Sequence, residues 1–128
     1  MTGPIDTVNR LSDAINRGDL ETAATLYEPG AVLVVQPGKL ARGPIQLREA
    51  LAGFIALKPM LKSEAQEVVE AGDVALYVGR WNLQGTDPEG KAVAMTGESA
   101  DVLRRQGDGR WLIALDNPWG DRILASGG

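Results

Sequence analysis

The sequence contains no cysteine and no histidine, and these two absences exclude much of the chemistry that small proteins use. Without cysteine there is no disulfide framework and no thiol nucleophile. Without either residue there is no Cys or His metal site and no Ser-His or Cys-His dyad, so no metal and no other cofactor is predicted. Proton transfer near neutral pH must then use carboxyl groups, tyrosine, lysine or water.

Long apolar runs and basic clusters are also missing. Stretches such as Ala31 to Val35 are far too short to span a bilayer, so no membrane is a predicted partner. The net charge is −4 and no block is rich in lysine or arginine, which argues against a nucleic-acid partner. The first residues lack a charged leader followed by an apolar run, so no signal peptide is expected and a cytoplasmic location is the default.

What the chain does have is a composition that can fold. Apolar residues make up 44% of the 128 residues and charged residues 23%, which suits a single domain over residues 1–128 with its own core. Glycine and proline are frequent, at 16 and 7 residues, and they divide the chain into short elements.

The first half of the chain is patterned as helices around one strand. A first helix begins at Pro4 and ends at Gly18, and its apolar residues recur at spacings of three and four: Ile5, Val8, Leu11 and Ile15. Asp19 caps a second helix, which is expected to include Tyr27 and to stop at Glu28-Pro29-Gly30. A third helix begins near Pro44, with an apolar stripe of Leu47, Leu51, Phe54 and Ile55.

Strands are predicted between and after these helices. Residues 31–35 form an apolar β-branched run, typical of a strand buried on both faces and broken at Pro37-Gly38. After Pro59 the period changes to two, and residues 61–70, 74–84, 91–106 and 110–117 are predicted as a four-strand meander. Helices and strands are segregated, so the fold class is α+β.

The last predicted hairpin brings two aspartates to one face. A two-residue turn at Gly107-Asp108 pairs Gln106 with Gly109. Strand alternation then places six residues on one face: Leu103, Asp101, Ser99, Leu112, Ala114 and Asp116. If a pocket lies on that face, burial and mutual repulsion raise the carboxyl pKa values, and the pair could act as acid and base.

Structural roles for the same side chains are weighed beside the catalytic ones. Asp116 precedes Asn117-Pro118, so it could instead bind turn amides or pair with an arginine, and Asp101 could form a structural salt bridge. Tyr77 and Trp81 share a strand face. An even register across the 87–90 loop, with Tyr77 opposite Ser99, puts both in the pocket, whereas an odd register puts them outside. Ordinary core packing is the alternative for both, and core packing is favoured for Tyr27.

The opposite face of the last strand is unexpectedly apolar. It carries Trp111, Ile113 and Leu115 under the two-residue turn. The solvent face of an antiparallel sheet is normally polar, so a homodimer through this outer face is predicted. Coverage by the chain's own tail or a loop is the alternative. Trp119, which follows the strand, could cover either the mouth of the pocket or a partner chain.

Several motifs in this order resemble the nuclear transport factor 2-like superfamily, and most closely its SnoaL-like and ketosteroid isomerase-like branch. The resemblance covers residues 5 to 122. It is carried by five segments: Asn16-Arg17-Gly18-Asp19-Leu20-Glu21, Leu26-Tyr27, Ala41-Arg42-Gly43, Asp101-Val102-Leu103-Arg104-Arg105 with Gly109-Arg110-Trp111, and Asp116-Asn117-Pro118-Trp119-Gly120. It implies a cone in which three N-terminal helices close a strongly curved, mixed but mostly antiparallel sheet around an apolar pocket.

The activities known in that superfamily are not implied equally by these residues. At the position of the steroid isomerase base the chain has Gln36, which cannot shuttle a proton, and at the position of the helix-1 tyrosine it has Leu11. Only the buried strand aspartate is kept, as Asp101. The histidines of the dehydratase branch are missing, and Ser99 stands where the epoxide hydrolase branch has arginine.

Three functions follow as hypotheses. The first is a homodimer that binds a small, largely apolar molecule in the cone, with the pocket formed by Gln36, Leu11, Tyr77, Trp81, Ser99, Leu103, Leu112, Ala114 and Trp119. The second is an isomerase, lyase or hydrolase that uses Asp101 and Asp116 as an acid-base pair. The third is a structural or partner-binding module with a filled cavity.

Overall fold

The computed structural model of the protein describes residues 3–126, which form three helices, six strands and a final 3₁₀ helix. The helices are α1 (Pro4–Asn16), α2 (Leu20–Thr25) and α3 (Gly43–Ile55). The strands are β1 (Tyr27–Gln36), β2 (Lys39–Arg42), β3 (Met60–Ala71), β4 (Val74–Thr86), β5 (Ala92–Arg105) and β6 (Trp111–Asp116). The 3₁₀ helix covers Gly120–Ser126.

The six strands form one curved, mixed sheet in the order β2-β1-β6-β5-β4-β3. Only β1 and β6 are parallel neighbours, and the other described pairs are antiparallel. Helix α1 packs against β3, β4 and β6, while α3 packs against β1 and β2. The predicted α+β cone, with helices closing a mostly antiparallel sheet, is thereby confirmed.

The helix termini follow the predicted local signals. Pro4 occupies the first turn of α1. The chain leaves α1 through Gly18, whose φ of 75° is readily adopted by glycine. The side chain of Asp19 then caps α2 by accepting a hydrogen bond from the Thr22 amide at 3.1 Å. The start and end of α1 and the start of α2 therefore lie at residues whose local backbone and side-chain preferences favour those boundaries.

The prediction that Tyr27 belongs to the second helix is wrong. Helix α2 ends at Thr25, and Tyr27 is the first residue of β1, where it pairs with Ile113. The β1–β6 register shifts between Tyr27 and Val32, and Pro29 lies within that irregular segment, where a missing amide donor is tolerated. Pairing with a strand distant in sequence therefore overrides the local helix pattern.

Strand β2 is absent from the sequence prediction. It is four residues long and forms a hairpin with β1 around Pro37-Gly38, with Val34 opposite Leu40. Gly38 has a φ of 87°. The predicted break is therefore a tight turn, and the short, mostly exposed strand after it has too few residues to show a period.

The hairpin between β5 and β6 has a different register from the predicted one. The amides of Gln106 and Gly109 donate to Arg110 O (2.7 Å) and Gln106 O (2.9 Å), so the loop has three residues rather than two. Gly109 takes a φ of 89°, which is typical of the third position in such a loop. Arg105 consequently pairs with Trp111, and Leu103 with Ile113.

A β-bulge in β6 then changes the facing of its second half. Leu103 pairs with Ile113, but Val102 pairs with Leu115, so Ala114 is the additional residue. Residues before and after the bulge therefore follow different alternations. Ile113 and Asp116 both face the helices, although they are three residues apart.

Because of this loop and this bulge, the side chains of β6 do not all face the predicted side of the sheet. Trp111 and Ile113 are buried in the core of the single chain, so neither can belong to an outer interface. Leu103 is fully buried in the same core. The predicted two-residue turn placed Trp111 and Ile113 on the wrong face, whereas Leu103 faces the same side as Asp101, as predicted. Only Leu115 of the predicted interface lies on the exposed side, 37% exposed.

Candidate functional site

An apolar cavity of about 100 Å³ lies between the helices and the inner face of the sheet. Helix α1 contributes Val8, Leu11, Ser12 and Ile15, and α3 contributes Leu51 and Phe54. The sheet and the segment after it contribute Tyr27, Leu33, Leu61, Ser63, Tyr77, Trp81, Leu83, Met95, Ser99, Asp101, Asp116, Pro118 and Trp119. Most of this lining is hydrocarbon, as in small-molecule sites, although the volume is below that of drug-sized pockets.

Two aspartates form the polar group of this cavity. Asp101 is 4% exposed on β5, and Asp116 is 7% exposed at the end of β6. The backbone amide of Asn117 donates to Asp101 Oδ1 at 2.7 Å. Val102 pairs with Leu115, which places Asp101 beside Asp116 on neighbouring strands, and each carboxyl group affects the pKa of the other. We call this pair the Asp101–Asp116 dyad.

The electrostatics of the dyad follow from its burial. Desolvation raises the pKa of Asp101 well above its usual range, and the neighbouring Asp116 charge raises it further. Burial also raises the pKa of Asp116, but hydrogen bonds from Tyr27 and Asp101 oppose that rise. The dyad therefore retains protons to higher pH than exposed carboxyl groups do, and its two members titrate as a unit.

Tyr27 is the functional residue that the sequence reasoning missed. Its hydroxyl donates to Asp116 Oδ2 at 2.5 Å, and the side chain is buried. Burial and the Asp116 charge raise the pKa of Tyr27 well above 10.0, so it stays a neutral donor. The Leu26-Tyr27 pair is part of the family resemblance, but the predicted second helix that includes Tyr27 does not place it beside the last strand.

Tyr77 forms a second polar position in the cavity wall. Gln66 Nε2 donates to the Tyr77 hydroxyl oxygen at 2.9 Å and to Asn9 Oδ1 at 2.8 Å. Gly79 lies beneath the phenol, where an added Cβ would come within 2.3 Å of the hydroxyl oxygen. Desolvation raises the pKa of Tyr77 above its usual value. The predicted even register has the correct parity, with Asp101 rather than Ser99 opposite Tyr77.

Two tryptophans form another part of the wall. Trp81 and Trp119 meet edge to face with ring centroids 5.6 Å apart. Trp81 Nε1 donates to Pro118 O at 2.8 Å, and Trp119 Nε1 donates to Val34 O and Val35 O at 3.2 and 3.1 Å. These bonds fix the segment after β6 across the sheet. Trp119 therefore covers the cavity of its own chain.

The predicted pocket residues divide into two groups. The structure places five of them in the cavity lining: Leu11, Tyr77, Trp81, Ser99 and Trp119. Four others lie outside it: Gln36, Leu103, Leu112 and Ala114. Gln36 is exposed at the end of β1 opposite Lys39, so the residue at the isomerase base position does not even reach the cavity. Leu112 and Ala114 were misplaced by the hairpin register.

Among the residues that the structure describes, no basic side chain lines the cavity. Among residues 3–126, no group of three acidic side chains is arranged to hold a metal ion. In the same part of the chain, no helix is long and apolar enough to cross a membrane. The chemical resources of the cavity are therefore the dyad, two phenols, the serine hydroxyls and hydrocarbon walls.

Comparison with known proteins agrees with this architecture. A family model described as a SnoaL-like domain matches residues 8–113. The curated proteins contain no match. The fold is similar to a nuclear transport factor 2-like superfamily protein from Salmonella enterica serovar Typhimurium, with 20% identity, a TM-score of 0.78, and coverage of 88% of this chain and 84% of that one.

Two further solved structures share the fold. A protein from Shewanella frigidimarina, named as a candidate ketosteroid isomerase, has 19% identity, a TM-score of 0.75 and coverage of 87% and 90% of the two chains. A Mycobacterium tuberculosis protein of unknown function has 26% identity, a TM-score of 0.74 and coverage of 87% and 69%. With the family match over most of its length, the chain belongs to the SnoaL-like domain family.

Proposed function

We propose that the protein binds a small, largely apolar molecule that carries a polar group. The observation that supports this is the Asp101–Asp116 dyad, a buried polar pair in a cavity whose other walls are mostly hydrocarbon. Apolar walls exclude water from the ligand body, while buried hydrogen-bonding groups set its orientation. The modest volume of about 100 Å³ favours a molecule the size of a single ring.

The steroid isomerase mechanism is not part of this proposal. Gln36 is exposed and outside the cavity, and Leu11 offers only an apolar wall. A second candidate function is nevertheless favoured by the two adjacent, buried carboxyl groups of the dyad. An acid and a carboxylate in contact could donate and accept protons in an isomerase, lyase or hydrolase reaction.

Cyclohexanol is a suitable first probe, because it combines one ring with one hydroxyl. We expect it to bind with a Kd on the order of 1 mM, as suits so few heavy atoms. Saturation-transfer NMR detects binding, and quenching of the cavity tryptophans Trp81 and Trp119 measures it. Mass spectrometry of the recovered probe separates the two functions: an unchanged compound supports binding alone, and a new product supports catalysis.

Filling the cavity provides the control for that experiment. Ser99→Leu should abolish cyclohexanol binding, because Ser99 lines the cavity and the larger side chain occupies it. Thr96→Leu adds similar bulk on the same strand but on the exposed side, so its Kd should match that of the parent. Equal affinity in both variants would show that the probe binds elsewhere.

We also propose that the protein is a homodimer joined through the outer face of the sheet. The location that we propose is the cytoplasm, because a chain without cysteine has no disulfide that would need oxidising conditions. Bulge and loop change which residues form that face. Leu76 lies between Val69 and Val102, and Val102 pairs onward with Leu115. We call these four residues and Val78 the outer patch; Val69, Leu76, Val78 and Leu115 are exposed in the single chain. Contiguous apolar surface of this kind favours a symmetric partner.

Leu76→Glu should convert this dimer to a monomer. Leu76 is 45% exposed and central to the patch, so two glutamates would face each other across a two-fold interface. Sedimentation velocity should show a shift from dimer to monomer without loss of the circular dichroism spectrum. Ile45→Glu, at a 74% exposed position on α3, should leave the dimer intact. A Leu76→Glu protein that still sediments as a dimer would contradict the proposed interface.

A further inference from the structure

The dyad has no basic partner. The ion pairs of the described residues use other carboxylates, which lie on the surface or are only partly buried, and none of them involves Asp101 or Asp116. The cavity lining contains no lysine and no arginine. The two carboxyl groups are therefore enclosed without a compensating cation. Charge on the ionised dyad can be neutralised inside the cavity by a cationic ligand as well as by protons.

The hydrogen bonds of the dyad show which ligand groups fit. Tyr27 donates to Asp116, and Asn117 N–H donates to Asp101. Four carboxyl oxygens offer more lone pairs than these two hydrogens use. A ligand that brings hydrogen-bond donors therefore fits this end of the cavity better than a ligand that brings only acceptors.

The surroundings of the dyad add no competing charge. Helices α1 and α3 face the cavity with Val8, Leu11, Ile15, Leu51, Phe54 and the hydroxyl of Ser12. On the sheet, the other titratable groups of the lining are the phenols of Tyr27 and Tyr77, which stay neutral at ordinary pH. The electrostatic preference of the cavity is consequently decided by the dyad.

Building on the proposed ligand-binding function, we propose that the ligands are small amines bound as ammonium ions. The nitrogen hydrogen-bonds to the Asp101–Asp116 dyad, and the hydrocarbon body lies against the apolar walls. Folding has already removed the carboxyl groups from water, so binding adds only the desolvation of the ammonium. That cost is offset by a buried, charge-assisted hydrogen bond, which is stronger than a neutral one.

The test compares three compounds of one shape at pH 7.5: cyclohexylamine, cyclohexanol and cyclohexanone. Calorimetric titration should give the amine a Kd about tenfold lower than that of the alcohol or the ketone, as expected for a hydrogen bond to a charged group. Equal affinities, or a preference for the ketone, would overturn the amine proposal but leave the binding function standing. Failure of all three compounds to bind would instead contradict the proposed function.

Matched variants separate the dyad from general attraction to an acidic protein. Asp101→Asn/Asp116→Asn preserves the shape of the dyad and should abolish the preference for the amine, so that cyclohexylamine and cyclohexanol bind with similar Kd values. Asp73→Asn also removes an acidic group, but at an exposed ion pair with Arg105, and should keep the preference. An amine preference that survives in the double variant would overturn the proposal.

A pH series on the unaltered protein provides the same test if the double variant does not fold. The amine preference should fall as the pH is lowered from 7.5 towards 4, because the carboxyl groups of the dyad take up protons and lose their charge. It should also fall above about pH 10, where an alkylammonium loses its charge. A preference that stays constant over this range would refute the role of the dyad.

Discussion

Replacing Ile113 by alanine is expected to lower the free energy of unfolding by about 2–5 kcal/mol, the range seen for buried isoleucine and leucine truncations. Ile113 has no exposed surface, and it pairs with the fully buried Leu103. Its neighbours are held by two strands and α1, so they cannot collapse fully into the space that the substitution leaves. Urea denaturation with a fitted m value measures the change.

Leu115→Ala is the matched control for this prediction. It lies two residues further along the same strand but on the other side of the bulge, 37% exposed. Its substitution should cost less than about 1 kcal/mol within one chain. Both variants are best measured in the Leu76→Glu background, so that loss of a dimer does not enter the comparison. Similar costs for the two substitutions would contradict the bulged register.

The second large effect concerns the pH dependence of stability. A carboxyl group with a raised pKa binds its proton more tightly in the folded chain than in the unfolded one. The stability that it contributes is therefore fully present below the unfolded pKa of about 3.9, and it is lost as the pH rises towards the folded pKa. The dyad should thus favour the folded state at acidic pH, by up to about 1.4 kcal/mol per pH unit for one proton.

Asp101→Asn should remove this dependence while preserving the structure. An asparagine there accepts from Asn117 N–H through its oxygen and donates to Asp116 through its amide. The difference in unfolding free energy between variant and parent should therefore grow with pH above 4, in favour of the variant. Denaturation series from pH 4 to 8 measure it. Asp73→Asn, at an exposed position, should give a difference that does not change in that direction. Parallel curves for Asp101→Asn and its parent would contradict a raised pKa of Asp101 in the folded chain.

Much of the fold could be predicted from local chemistry. Pro4, Gly18 and Asp19 define the first two helix boundaries through backbone preferences that need no tertiary partner. The β-strand periods after Pro59 likewise identify β3 to β6, because alternation reports which face is buried. The family resemblance predicted the cone and the packing of the helices against the inner face of the sheet.

The errors arose where long-range pairing determines the structure. Tyr27 has neighbours that suit a helix, and only its pairing with β6 shows that it begins a strand. Gly109 decides between two hairpin registers through a positive φ that the sequence alone does not reveal. Ala114 gives no local sign that it is the bulged residue. Asp101 and Asp116 nevertheless lie beside each other, because the three-residue loop and the bulge each shift the register of β6 by one residue.

The short segment that follows β6 contributes both to the hydrogen bonding of the dyad and to the wall of the cavity. Asn117 supplies the amide donor of the dyad, and Trp119 supplies an indole wall that is hydrogen-bonded to β1. Pro118 between them accepts the bond from Trp81. Proton affinity at one end of the cavity and the closing of another part of its wall are thus determined by adjacent peptide units. A change that repositions this segment would alter both together, so acidity and access are not independently adjustable in this protein.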